Sequence, residues 1–383
     1  MLCYQLSNSY QNLKHWITNS GLIISNPDEE HYGGVYSYFD EDKKKYSFLY
    51  PEITGYSTSS LSFFYNNSKD DNLLKLAKAN SIWIIEIFKK YDCIIQGISN
   101  DKKRQKFAYT FDAAICVKGL LDYYKISGSL EILDTAKSIL NWIVPAINDD
   151  GTILPFKNIE LDIFEENNDV WYKKRGNLHI KVSIPFTQMY EITKDESFLN
   201  IAKKLCDVYP KFLKKDGSLS MHENSDEINL HTQSYALEGL LFTYGTTNSE
   251  KYLECCRNCL DWCSNKIEDD GSINLWSNSK YSSKSIYPVA QVIRLMLLVD
   301  SIDKSHQYTQ DVKKLIKFMN SLQATSNDSK INGGYYEEFY KSVFGWKKRK
   351  KLNSWGSMFA IQALFWYENA EKTVFENSIS SLY

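Results

Sequence analysis

Residues 109–151, YTFDAAICVKGLLDYYKISGSLEILDTAKSILNWIVPAINDDG, carry a pattern that recurs along the chain and limits what it can fold into. An acid, Asp112, opens an apolar run through Ala113, Ile115, Cys116, Leu120, Leu121 and Tyr124, a spacing that lays a wide apolar stripe along one helix. Ser127-Gly128 breaks the run. A second apolar run follows through Ile132, Leu133, Ala136, Ile139, Leu140, Trp142 and Ile143, and Asp149-Asp150-Gly151 closes the unit with a turn. The stretch reads as two helices in a hairpin followed by a reverse turn.

The same unit recurs. A helix near 53–66 pairs with 71–92 before Gln96-Gly97; 178–192 pairs with 196–213 before Asp216-Gly217; 231–245 pairs with 249–266 before Asp270-Gly271; 287–300 pairs with 307–322 before Asn332-Gly333-Gly334. A last helix, 354–370, has no partner after it. Residues 5–19 form one amphipathic helix at the other end of the chain, followed by Gly21-Leu22-Ile23, which matches the Gly217-Ser218-Leu219 turn. The N-terminal helix is therefore expected to complete the sixth hairpin. Five hairpins plus one split across the termini suit a closed ring; an open array would need polar caps at its ends. The expectation is an all-α, six-hairpin ring over 1–372, with 373–383 as a C-terminal tail.

Composition narrows the function classes. A net charge of −2 gives no global field for nucleic acid, and no stretch approaches the roughly 20 apolar residues of a membrane span. The N-terminal stretch has neither a basic nor an apolar signal segment, and the eight cysteines suit a reducing compartment, so a cytoplasmic location is expected. Cys255, Cys256, Cys259 and Cys263 lie on one amphipathic helix, where free thiols behave as small buried hydrophobes; a thiolate metal site is the alternative. Phosphate-binding, dinucleotide, HExxH and GxSxG signatures are absent, so no cofactor and no metal are expected.

The repeat architecture, with the phrases YPEITGY (50–56), HTQSYALEGLL (231–241) and NSWGSMFAIQAL (353–364), resembles the (α/α)6 toroids of carbohydrate-active proteins. These include unsaturated glucuronyl hydrolases, N-acylglucosamine 2-epimerases, glucuronyl C5-epimerases and polysaccharide lyases; the phrases themselves look like those of toroid proteins associated with surface-polysaccharide synthesis. The resemblance implies a central funnel lined by the first helix of each hairpin, with its mouth built from the loops between hairpins. Loop lengths agree, since 24–51, 152–177, 217–230 and 333–353 are long while 67–70, 126–130 and 193–195 are short.

Aligned on their shared pattern, the inner helices place Glu52, Phe111 with Asp112, Asn177 to His179, His231, Tyr287, and Asn353 with Trp355 at their starts, where they should ring the mouth. Carboxyls, imidazoles and aromatics together are what a sugar site needs: one acid to protonate a leaving oxygen, another to activate water, and flat faces to hold the ring. Glu52 and Asp112 are the candidate acid and base, with His179 and His231 as further bases or contacts. Tyr56, Trp171, Arg175, Asn177, Tyr235, Tyr287 and Trp355 are the candidate sugar contacts, Arg175 or Asn177 holding a carboxylate. Each has a plainer reading. Acids at helix starts serve as caps, histidines can be satisfied in a core, and Trp171, Trp276, Trp346 and Trp355 can simply pack. Glu238, in a helix body, is expected to pair internally, with Lys118 the partner suggested by the alignment.

Four basic runs, 43–45, 102–104, 173–175 and 347–351, fall in mouth-side loops and suggest an anionic glycan, although Glu165-Glu166, Glu223, Asp226-Glu227 and Glu337-Glu338 share those loops. The sequence leaves hydrolysis, elimination and epimerisation open, with a non-catalytic glycan-binding or scaffold protein as the alternative.

Overall fold

The computed structural model describes residues 7–100 and 102–383. The helices are α1 (Asn8–Asn19), α2 (Pro51–Ser68), α3 (Asp71–Tyr91), α4 (Thr110–Ser127), α5 (Leu130–Ile143), α6 (Ser183–Thr193), α7 (Glu196–Cys206), α8 (Leu230–Thr247), α9 (Glu250–Ser264), α10 (Ile286–Asp303), α11 (Thr309–Ser321), α12 (Ser354–Glu368) and α13 (Phe375–Ser378). A 3₁₀ turn, Asn177–Val182, leads directly into α6. Helices α2, α4, α6, α8, α10 and α12 each pack on the next, and α12 packs back on α2, so the inner ring is closed. Helices α3, α5, α7, α9 and α11 back their own inner partners, and α1 backs α12. This is an (α/α)6 toroid.

Burial explains why the two helix sets have different sequences. Inner helices are covered on one side by their hairpin partners and on the other by the ring interior, so α2 is buried continuously from Pro51 to Phe64. Its two Thr hydroxyls turn back on the backbone, Thr54 Oγ1 donating to the Tyr50 carbonyl at 3.0 Å and Thr58 Oγ1 to the Thr54 carbonyl at 2.7 Å. Outer helices bury only one stripe, as in α5 with Ile132, Ala136, Ile139, Leu140 and Ile143.

Helix α1 closes the ring as expected, and residues 5 and 6 of the stretch read as helical from the sequence lie outside the described residues. Its Trp16 Nε1 donates to the Lys330 carbonyl at 2.9 Å, the Ser7 amide donates to Glu368 Oε2 at 2.9 Å, and Tyr10 packs on Phe365. The glycine turns supply further evidence. A Cβ on Gly151, Gly217 or Gly271 would fall within 2.1–3.0 Å of a carbonyl on the next outer helix, and Gly333 stands in the same relation to Asn12 of α1. The sequence match of Gly21 to Gly217 does not hold: the equivalent glycine is Gly33, where a Cβ would lie 2.1 Å from the Ala79 carbonyl of α3, whereas one on Gly21 would meet only the Tyr46 ring. The backbone bonds of 22–36 repeat those of 322–336, with Tyr36 N to Leu22 O and Tyr336 N to Leu322 O at 3.1 and 3.0 Å.

The mouth loops also hold short antiparallel strands that helical periodicity did not reveal. One pairing joins the first and last inter-hairpin loops, with Tyr38 opposite Asn353 and Asp40 opposite Lys351. At the other end of the ring, the segment from α13 onward folds under the inner helices. Phe375 packs on Tyr244, and the Tyr383 hydroxyl donates to the Met358 carbonyl at 2.9 Å. No helix among the described residues is long and apolar enough to cross a membrane.

Candidate active site

The closeness of α2 and α4 places the two candidate acids side by side. A Cβ on Gly55 would lie 2.7 Å from the Ile115 carbonyl, and one on Gly119 2.5 Å from the Gly55 carbonyl. Only glycine permits that approach, and it brings the two N-terminal turns together, where Cys116 Sγ donates to the Pro51 carbonyl at 3.2 Å. Glu52 and Asp112 sit in those first turns and open into one cavity of about 340 Å³. His179, His231, Tyr287 and Trp355 reach the same cavity from the starts of the remaining four inner helices, so all six contribute.

The rest of the wall is largely aromatic. Phe111 lies 4.8 Å from Tyr235 between ring centroids, Tyr287 lies 5.8 Å from Trp355, and Tyr109 and Trp171 flank Tyr172 at 5.9 and 5.6 Å. Flat apolar faces with a few polar groups among them suit a sugar ring, and the volume is at the small end for a small-molecule site.

The electrostatics of the carboxyls is dominated by desolvation. Burial pushes Glu52 up to about 7, although Tyr50 and the Lys181 ammonium both pull it down. Burial and then the neighbouring Glu52 charge hold Asp112 well above the usual carboxylate range, against the pull of Tyr50 and Arg104. The Tyr50 phenol therefore acts on both acids. Among the described residues, Asp112 Oδ2 is buried without a hydrogen-bond partner. Burial and like charge thus favour a shared proton on the pair, with Glu52 poised to gain or lose one near neutral pH.

Both histidines are kept neutral. Burial lowers His231 to about 3; the Gln291 contact opposes this, and the Lys181 and Arg294 charges add to it. His231 Nδ1 lies 2.6 Å from Gln291 Oε1, so it carries the proton and Nε2 keeps its lone pair. The ring is set between Tyr235 and Tyr287 at 4.2 and 4.5 Å. Burial lowers His179 to about 4, and its Nδ1 is turned back to the Gly176 backbone at 3.2–3.3 Å.

Three expected contacts lie elsewhere. Tyr56 is fully buried beneath the cavity, edge-on to Phe359, with Lys181 Nζ 4.9 Å from its ring. Arg175 faces away and is gripped by Glu166 at 2.7 and 3.0 Å, which occupies its guanidinium. Asn177 is wholly buried at the start of its 3₁₀ turn, and among the described residues neither amide atom has a partner. Trp276 and Trp346 are also outside the cavity, against Tyr281 and Lys284.

Sequence reasoning missed Tyr50, Gln96, Tyr109, Tyr172 and the cavity position of Arg104. Tyr50 and Tyr109 share a signal, each an aromatic just before an inner-helix acid. Loop 92–109 was not among the long loops, yet it supplies Gln96 and Arg104. Below the floor, Glu238 pairs with Lys181 at 2.6 Å and with Arg294, not with Lys118 as expected; Lys118 is taken by Asp122, four residues on, at 2.6 Å. The α9 cysteines are buried in packing, with Cys259 Sγ donating to the Gly217 carbonyl at 2.9 Å.

A six-hairpin toroid with a polar, aromatic-walled cavity at its mouth is thus the class this chain represents. No protein-family model and no curated protein matches its sequence. Solved structures do match its fold over nearly its whole length. Cellobiose 2-epimerase from Bacillus thermoamylovorans B4167 aligns with a TM-score of 0.75 at 17% identity, covering 96% of this chain and 98% of that one. A D-mannose isomerase aligns at 0.75 and 11%, covering 94% and 97%. An unsaturated glucuronyl hydrolase specific for heparin aligns at 0.69 and 13%, covering 96% and 98%. At these identities the likeness is one of fold.

Proposed function

We propose that the protein is a carbohydrate-active enzyme that hydrolyses a terminal unit of an acidic oligosaccharide, such as a fragment of a surface polysaccharide. The observation that carries this is the Glu52–Asp112 pair, two buried carboxyls at adjacent helix starts that line one cavity, both with raised pKa values. Sugar-acting proteins among the structural matches lend support, and the small cavity suits an end unit better than a run of chain.

Asp112, held protonated, gives its proton to the glycosidic oxygen as the bond to the anomeric carbon breaks. Glu52, when ionised, takes a proton from water, whose oxygen joins that carbon. The products are a free sugar and the shortened glycan. Asp112 has then lost a proton and Glu52 has gained one, and Tyr50, beside both, offers the path that resets them. The aromatic walls orient the ring. His231, too weak a base at about 3 to take a proton from carbon readily, contributes a hydrogen-bond acceptor through Nε2.

A panel of defined acidic and neutral oligosaccharides, incubated with wild type and Asp112→Asn, tests the reading by mass spectrometry. Hydrolysis gives two shorter products with wild type and almost none with the variant. Epimerisation leaves mass unchanged in H₂O but places deuterium on carbon in D₂O, and an unsaturated product that absorbs in the ultraviolet marks elimination. Either of those results, or binding with no change at all, sinks the hydrolase reading.

A further inference from the structure

We infer that Arg104 is the residue that reads the substrate's charge, anchoring the carboxylate of a uronic acid unit at the mouth of the cavity. This rests on the sugar-site reading above and names its substrate class. Among the described residues, Arg104 is the one Lys or Arg that lines the cavity, and it forms no ion pair. Its guanidinium lies 3.6 Å from the centroid of the Phe48 ring, a stacking contact that restrains the side chain while leaving the edge of the fork free to donate. The planar fork matches a carboxylate through two parallel N–H···O bonds.

The surroundings argue that this charge is meant for a ligand. Asp112 is the acid whose field Arg104 feels, but burial and Glu52 hold its pKa well above the usual carboxylate range, and among the described residues no ion pair joins the two. Several other basic groups of the rim are already engaged. Arg175 is held by Glu166, Arg349 by Glu338 at 2.7 Å, Lys350 lies 3.5 Å from Glu41 and Asp42, and Lys173 sits over the Phe107 and Phe156 rings. Bringing a carboxylate to Arg104 also cancels the charge that pulls the Asp112 pKa down, so an acidic substrate would strengthen the hold of Asp112 on its proton before the transfer.

The test measures binding, not turnover, by calorimetry at low temperature. The probes are a glucuronate-terminated disaccharide and its carboxyl-reduced, neutral counterpart, with wild type, Arg104→Gln and Arg104→Lys. Wild type should prefer the acidic sugar by about tenfold or more, the value of one charge-assisted bidentate contact. Arg104→Gln should bring the ratio close to one, and Arg104→Lys should keep part of it. A ratio unchanged in Arg104→Gln overturns the assignment, as does a wild type that binds both sugars equally, and in each case the sugar site survives. Binding of neither sugar by wild type overturns the assignment and the sugar-site reading together. If Arg104→Gln does not fold, Arg104→Lys decides: full retention of the wild-type ratio overturns the role of the fork.

Discussion

Glu238 and Glu52 are buried glutamates on inner helices of the same ring, and their surroundings are opposite. Glu238, below the cavity floor, is gripped by Lys181 at 2.6 Å and by Arg294, whose Nη1 donates to Gln362 Oε1 and the Tyr383 carbonyl at 2.9 and 2.8 Å. Every charge there has a partner, and aromatic rings close around it: Lys181 lies 4.5 Å from the Tyr235 centroid and Arg294 4.5 Å from that of Phe359. Glu52, at the mouth, has another acid as its neighbour and feels the same Lys181 only as a secondary influence. A buried acid with full compensation holds a ring together. One left without it is an acid the fold destabilises, and such groups concentrate where protons are moved.

The comparison breaks most visibly on removing Glu238. Glu238→Ala leaves two buried cations facing each other, and unfolding by denaturant should show a loss of about 3–5 kcal/mol. A loss below about 1 kcal/mol would mean that water reaches the cluster. Asp112→Asn should do the reverse, with kcat/KM falling roughly 10²–10⁴-fold and stability equal to or above wild type, because a desolvated acid has been replaced by a neutral isostere. If Asp112→Asn instead unfolds the protein with no specific loss of activity, the mouth acids are structural like Glu238.

A pH series sharpens the contrast further. Folded Glu52 keeps its proton to about 7, against 4.5 when unfolded. Below 4.5 both states are protonated and the stabilising contribution is fully present. Between 4.5 and 7 only the unfolded chain releases the proton, so the contribution is lost as pH rises, by roughly 3 kcal/mol in all. The buried neutral His179 and His231 add an opposite slope on the acid side, so the readout is the difference between wild type and Glu52→Gln across pH 4–8. That difference should drift in favour of the variant as pH rises; a flat difference would contradict the raised pKa.

A smaller effect links the two clusters. Lys181 is paired with Glu238 and its charge also reaches Glu52, and Lys181→Met should leave Glu238 with Arg294 while raising the Glu52 pKa. The acidic limb of the kcat/KM profile should then move to higher pH, whereas a purely structural lysine would leave it in place. The smallest effect belongs to the rim. Replacing the lysines of 347–351 by Gln should weaken binding of a polyanionic glycan slightly at low salt and not at all at high salt, because Lys350 and Arg349 are already paired with acids.

The ring itself was legible because its cause is periodic. Apolar residues at helical spacing, broken by Ser-Gly and Asp-Gly turns, specify hairpins, and a hairpin with one partner missing at each end specifies closure. The same alignment placed Glu52, Asp112, His179, His231, Tyr287 and Trp355 at six helix starts, since a residue's height along a ring follows from its position in its own helix. What tertiary structure alone decided is which charge meets which. Lys118 in α4 and Lys181 in the turn before α6 are both buried, yet one finds Asp122 on its own helix and the other finds Glu238 across the ring. Arg104 and Arg175 both end basic runs in mouth loops, yet one enters the cavity and the other is caught by Glu166. Pairing and pKa depend on distance and desolvation in space, and neither has a period that a sequence can display.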